Sequence, residues 1–179
     1  MPDALTLLKT DHDDLKLIFQ KINAASSAQE RSKHVNEAIR ELSIHAAIEE
    51  QVFYPRISEQ VPGVQQMVEE GLVEHQQVKE LLAKLEDLEP ENAEFEATAK
   101  VMMEDIEHHL SEEEDELFPQ VRAGMSQQQL EEIAGELESA KKVAPTHPHP
   151  KAPNTPPGNL VAGAAAAVMD RAKDAIKRD

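Results

Sequence analysis

His45 and Glu49 stand four residues apart, and so do His109 and Glu113, 64 residues further along the chain. On a helix that spacing puts each imidazole beside its carboxylate on one face, about one turn along. The surrounding strings repeat too. HAAIEEQVFYP runs from His45 and HLSEEEDELFP from His109, each with a second Glu (Glu50, Glu114) and a closing Pro (Pro55, Pro119). Two further histidines, His12 and His75, lie 33 and 34 residues upstream of their respective copies. Imidazole and carboxylate without thiolate suit first-row metals of intermediate hardness: iron, manganese, zinc or cobalt. Four imidazoles and two carboxylates are enough for two ions, with Glu49 and Glu113 bridging metals about 3.5–4 Å apart. Two nitrogens and two bridging oxygens per ion leave room for a solvent-derived bridge and an exogenous ligand.

Four amphipathic segments must bring these groups together. Segment 3–24 carries Leu5, Leu8, His12, Leu15, Phe19 and Ile22 on one stripe, and segment 28–54 carries Val35, Ala38, Leu42, His45, Glu49 and Val52. Segment 64–88 carries Val68, Leu72, His75, Val78, Leu82 and Leu85, and segment 91–118 carries Phe95, Ala99, Met102, Ile106, His109 and Glu113. Steps of three and four are the buried stripe of a packed helix. The six polar residues thus occupy positions that should hold Leu or Ile. An unpaired His or Glu there costs several kcal/mol or shifts its pKa strongly, on the order seen for isolated buried charges. One shared explanation is required.

Ser27-x-x-Glu30 and Ser126-x-x-Gln129 read as capping boxes, and Pro55, Pro90 and Pro119 fall at segment boundaries. Short connections predict an all-α, up-down-up-down antiparallel four-helix bundle. In that arrangement the four histidines come to one level. A fifth, shorter helix over 127–141 (Leu130, Ile133, Ala134, Leu137) is expected to cover one side or end.

The domain organisation follows: residues 1–144 form the bundle, 145–159 a Pro-rich linker, and 160–179 an Ala-rich amphipathic helix or disordered tail. The tail offers a place for a protein partner. The net charge of −17 is concentrated in residues 1–144, which carry −19, against +2 beyond. An acidic body argues against nucleic acid, whose affinity comes mainly from Lys and Arg neutralising phosphates. There is no cysteine, which excludes disulfides, thiolate zinc sites and iron–sulfur clusters. No apolar run reaches the length of a membrane span, and the opening residues lack a leader pattern, so a cytoplasmic location is expected.

A four-helix bundle with His, His-x-x-x-Glu, His, His-x-x-x-Glu resembles the hemerythrin-like (HHE cation-binding) proteins over residues 3–120. The resemblance implies two iron ions in an oxo- or hydroxo-bridged centre. His12, His45, His75 and His109 would be its terminal ligands, and Glu49 and Glu113 its bridges. Oxygen-carrying members place a further His four residues after the third-helix His and end on His-x-x-x-x-Asp. This chain has Lys79 and Glu113 instead. That departure favours reaction with peroxide, NO or O2 over reversible oxygen carriage; the other reading is a sensor or an iron donor.

Tyr54, the only tyrosine, precedes Pro55, which disfavours helical geometry at residue 54. Two readings of Tyr54 stand: a ring turned toward the metals as a phenolate ligand or gate, and a boundary aromatic matching Phe118 in the repeat; Tyr54 and Glu50 are the candidate proton-transfer groups. Glu41 and Asp105, four residues before His45 and His109, are candidate acceptors for the ring N–H groups of the ligands. His34 and His108 are expected at the surface, and His147 and His149 in the linker as spacers.

Overall fold

The computed structural model describes residues 2–176; its regular elements are all helical, with no strand among those residues. Helix α1 spans Ala4–Ala24 and α2 spans Ala28–Ile48. A π-helical turn, Glu49–Phe53, then leads into α3, Tyr54–Gln60. Helix α4 spans Gln65–Asp87 and α5 Ala93–Glu112. A second π turn, Glu113–Leu117, leads into α6, Phe118–Gly124. Helices α7 (Gln127–Lys141) and α8 (Gly158–Ile176) follow. Around the bundle α1 packs on α2 and α5, and α4 on α2 and α5, while α7 lies against α1, α2 and the first π turn.

The starts of the helices follow the sequence signals. Ser126 and Gln129 form the full reciprocal box at α7. At α2 the Ser27 side chain accepts from the Glu30 N–H, but the Glu30 carboxylate reaches back to Ser26. Asp3 caps α1 by accepting from the Thr6 N–H at 2.9 Å, and Arg122 of α6 donates to its other oxygen. That hydrogen bond holds the Asp3 carboxyl down at about 2.

Pro55 and Pro119 do not end their helices. The chain stays helical through both, and Tyr54 itself is helical, with φ −59° and ψ −44°. The reason is the π turn before each proline. The Tyr54 N–H bonds five residues back to the Glu49 carbonyl, and the Phe118 N–H to the Glu113 carbonyl. The widened turn relieves the clash between a proline ring and the preceding turn. It also leaves the Glu50 carbonyl without the N–H that residue 55 would have supplied.

The core is divided in two. One apolar cluster gathers Leu5, Leu8, Phe53, Ile57, Leu130 and Ile133 around the π turns, α3, α6 and α7. The other gathers Leu15, Phe19, Leu42, Leu82, Met102 and Ile106 within the four long helices. Between them lies a layer of buried His and Glu.

Candidate metal centre

All six sequence-derived candidates lie in that layer, each at most 4 % exposed: His12, His45, Glu49, His75, His109 and Glu113. Glu49 Oε2 stands 3.2 Å from His45 Nε2 and 3.4 Å from His75 Nε2. Glu113 Oε2 stands 3.3 Å from His12 Nε2 and 3.8 Å from His109 Nε2. Each carboxylate therefore sits between one imidazole from each copy of the repeat. His75 Nε2 and His109 Nε2 converge to 3.1 Å. Two ligand groupings result: His12, His45, Glu49 and Glu113, and Glu49, His75 and His109.

These residues fit a cation and little else. His12 Nε2, His45 Nε2, both Glu49 oxygens and Glu113 Oε2 are buried without hydrogen-bond partners. Unpaired buried polar atoms are rare and costly, and here several point into one space. Without an ion the electrostatics are strained. Burial, then the neighbouring Glu113, pushes the Glu49 carboxyl well above the usual range. Glu113 is held below its usual value: burial opposes its charge, and His109 and His12 outweigh that. The cation-free pair therefore favours retaining a proton, with Glu49 the raised member. Burial also lowers His45 to about 4, which keeps it neutral and ready to bind a metal.

Three of the four outer ring nitrogens are held by carboxylates, and His45 Nδ1 is not. Glu114 lies 3.0 Å from His12 Nδ1, Glu50 3.1 Å from His75 Nδ1, and Glu74 2.7 Å from His109 Nδ1. Asp11 stands 3.7 Å from His45 Nδ1. Such partners orient the imidazole so that Nε2 faces the metal. Glu41 and Asp105 have no such role. Asp105 is exposed, and Glu41 lines a surface groove between α1 and α2. Their spacing of four before each ligand turns them away from the ring nitrogens, which point across to neighbouring helices.

A larger repeat than the His-x-x-x-Glu pair emerges. Asp11-His12-x-x-x-Lys16 on α1 matches Glu74-His75-x-x-x-Lys79 on α4, 63 residues apart. Lys16 binds Glu114 at 2.8 Å, as Lys79 binds Glu50 at 2.7 Å. Lys79 is thus the counterpart of Lys16 and neutralises a carboxylate. The doubled acid–His pair and the lysine four residues on were visible in the sequence as a second repeat.

Tyr54 and Phe118 are also counterparts. Tyr54 stacks on His75 at 5.5 Å between centroids, and Phe118 on His12 at 5.6 Å. Only Tyr54 carries a hydroxyl, which donates to Glu113 Oε1 at 2.9 Å. Burial, and then the Glu113 charge, raises this phenol well above its usual value, so it is a donor in the cation-free protein. Gly71 makes room for it, since a Cβ there would lie 2.7 Å from the Tyr54 oxygen. A narrow cleft reaches this point from the surface, with Glu70, Glu74, Glu112 and Glu116 along it and Tyr54, His109 and Glu113 among its walls.

The family model for the hemerythrin HHE cation binding domain matches residues 3–121. This chain belongs to the hemerythrin HHE family. An uncharacterized hemerythrin-like protein of Schizosaccharomyces pombe is 32 % identical over 169 residues, which cover 94 % of this chain and 83 % of that protein. A DNA nickase of Nostoc sp. is 26 % identical over 136 residues, 75 % of this chain but 38 % of the nickase. The crystal structure of a hemerythrin HHE domain-containing protein from Mycobacterium kansasii superposes with a TM-score of 0.66 at 27 % identity, covering 79 % of this chain and 89 % of that one. HHE domains bind metal cations, commonly iron, and the His/Glu layer is where this one has the groups to do so. No described helix is long and apolar enough to cross a membrane.

Proposed function

We propose that this hemerythrin-like protein holds two iron ions on His12, His45, Glu49, His75, His109 and Glu113, and that the centre consumes peroxide or NO, or reacts with O2. The observation carrying this reading is the convergence of orphaned Nε2 and carboxylate atoms in a buried layer between two apolar cores. Paired iron held by these residues would supply one-electron and two-electron redox chemistry toward a small oxidant.

The protein's own groups set the terms of that chemistry. Tyr54 keeps a proton within 2.9 Å of Glu113, beside the end of the cleft. Glu50 holds the outer nitrogen of His75. Carboxylates along the cleft disfavour anions and leave neutral peroxide, NO and O2 as the ligands that reach the centre. The same acidity works against a role on DNA, so nicking remains a property of the longer Nostoc relative.

Metal content per chain with a visible spectrum is the primary test. About two irons with bridged-ferric absorption supports the reading, and zinc alone or no metal overturns it. Sustained turnover of peroxide or NO then identifies an enzyme. A single stoichiometric reaction identifies instead a sensor or iron donor, a reading favoured by the contact of the C-terminal segment with Glu50 and Lys79.

A further inference from the structure

The two halves of the centre repeat in sequence but differ in their surroundings. Glu114, which holds His12, is 18 % exposed and its Lys16 partner 35 %. Glu50, which holds His75, is 4 % exposed and its Lys79 partner 13 %. The C-terminal segment accounts for the difference.

Four contacts from that segment converge beside His75. Lys79 Nζ donates to Asn154 Oδ1 at 2.8 Å while gripping both Glu50 oxygens at 2.7 Å. The Asn159 amide, on a residue 4 % exposed, donates to the Glu50 carbonyl at 3.0 Å. This is the carbonyl that Pro55, having no N–H, leaves unpaired in the π turn. Gln76, next to His75, donates to the Pro150 carbonyl at 2.9 Å and accepts from Asn154 at 3.2 Å.

The segment is itself anchored. His147 bridges Glu86 of α4 and Asp174 of α8, and His149 Nε2 lies 3.0 Å from Asp170. The Thr146 and His147 N–H groups donate to the buried Asp170 at 3.0 and 3.2 Å. The Glu114 carbonyl, orphaned in the same way by Pro119, has no such donor among the described contacts.

We propose that Asn154 and Asn159, acting with Lys79, are positioning residues for the His75 half of the metal centre: they fix Glu50 by side chain and by backbone, and Glu50 fixes His75. The consequence is an unequal pair of metal positions, the one between His75 and His109 held more rigidly than the one between His12 and His45. Packing argues the same way: Glu50 is 4 % exposed and gripped through both oxygens by Lys79, and Asn154 holds Lys79 in place. The inference rests on the metal-centre reading for its consequence and on the hydrogen bonds alone for its positioning claim.

Two measurements on full-length protein separate these. In metal-free protein, NMR of the histidine ring nitrogens is compared between wild type and N154A/N159A. The His75 Nδ1 signal should shift, and that of His12, held by Glu114 and Lys16, should stay in place. Unchanged His75 signals overturn the positioning role whatever the metal content. In iron-loaded protein, a strong chelator should remove iron in two phases, and N154A/N159A should speed the slow phase about tenfold, the scale seen when an outer partner of a ligand is lost. N154D, which keeps an acceptor for Lys79, should restore much of the slow phase. Two irons released identically from wild type and N154A/N159A would refute the unequal pair. Wild type that binds no iron fails the metal-centre reading instead, and the NMR comparison still decides the positioning role.

Discussion

The Tyr54 hydroxyl donates to Glu113 at 2.9 Å, joining two residues 59 positions apart at the heart of the bundle. This contact gives one of the paired carboxylates a fixed orientation, while Glu49 has no equivalent donor because Phe118 occupies the counterpart position. Y54F should retain two metals but alter the iron absorption and the rate of reaction with peroxide. Wild-type protein should show no phenolate-to-iron charge-transfer band, since the Tyr54 oxygen is engaged by Glu113 Oε1. Resonance Raman with excitation in the visible checks this, and tyrosinate modes would overturn it. In metal-free protein the lost bond to a charged acceptor should cost about 2 kcal/mol by denaturant unfolding.

Gly71 should be intolerant of even one added carbon. A methyl at that position meets the Tyr54 oxygen at 2.7 Å and its ring carbon at 3.2 Å. G71A should therefore reproduce the spectral change of Y54F and destabilise by about 1–3 kcal/mol through overpacking. Wild-type spectra and stability would show that the ring has room to move.

The carboxylates on the outer ring nitrogens should matter more than their distance from the metal suggests. E74Q and E50Q should each weaken metal binding about 10–100-fold, measured by competition with a chelator of known affinity. E41Q and D105N should change it little, because neither residue reaches a ring nitrogen. Equal losses in all four variants would make net charge, and not orientation, the cause.

Removing the metal should make stability depend on pH in a defined direction. Glu49 is raised above its ordinary value of 4.5, so the cation-free fold holds a proton that the unfolded chain releases. That contribution is full below pH 4.5 and is lost as pH rises toward the folded value. His45, lowered to about 4, acts oppositely: its contribution is present above pH 6.5 and falls away between 6.5 and 4. Metal must displace the Glu49 proton, so loading should strengthen with rising pH. The gap in Tm between loaded and stripped protein should widen from pH 5 to pH 7.5, which calorimetry at several pH values checks. A gap that does not change with pH would count against a protonated Glu49.

The four long helices and the level of the six polar residues were legible in the sequence, because an amphipathic stripe and a spacing of four are local properties of a helix. His12, His45, His75 and His109 each interrupt an apolar stripe, and an interrupted stripe is visible without coordinates. The passage of the helices through Pro55 and Pro119 was not. It depends on π turns, whose shifted hydrogen bonds leave no mark in residue type. Nor could spacing identify Glu74, Glu114 and Glu50 as the partners of His109, His12 and His75. All three contacts cross between elements, over 35, 102 and 25 residues of sequence, and a spacing rule speaks only for one helix. The last contribution of tertiary structure is asymmetry. Sequence alone makes two nearly equal halves; the docking of Asn154 and Asn159 beside Glu50 makes them different, because only in three dimensions does the carbonyl orphaned by Pro55 meet a donor more than a hundred residues away.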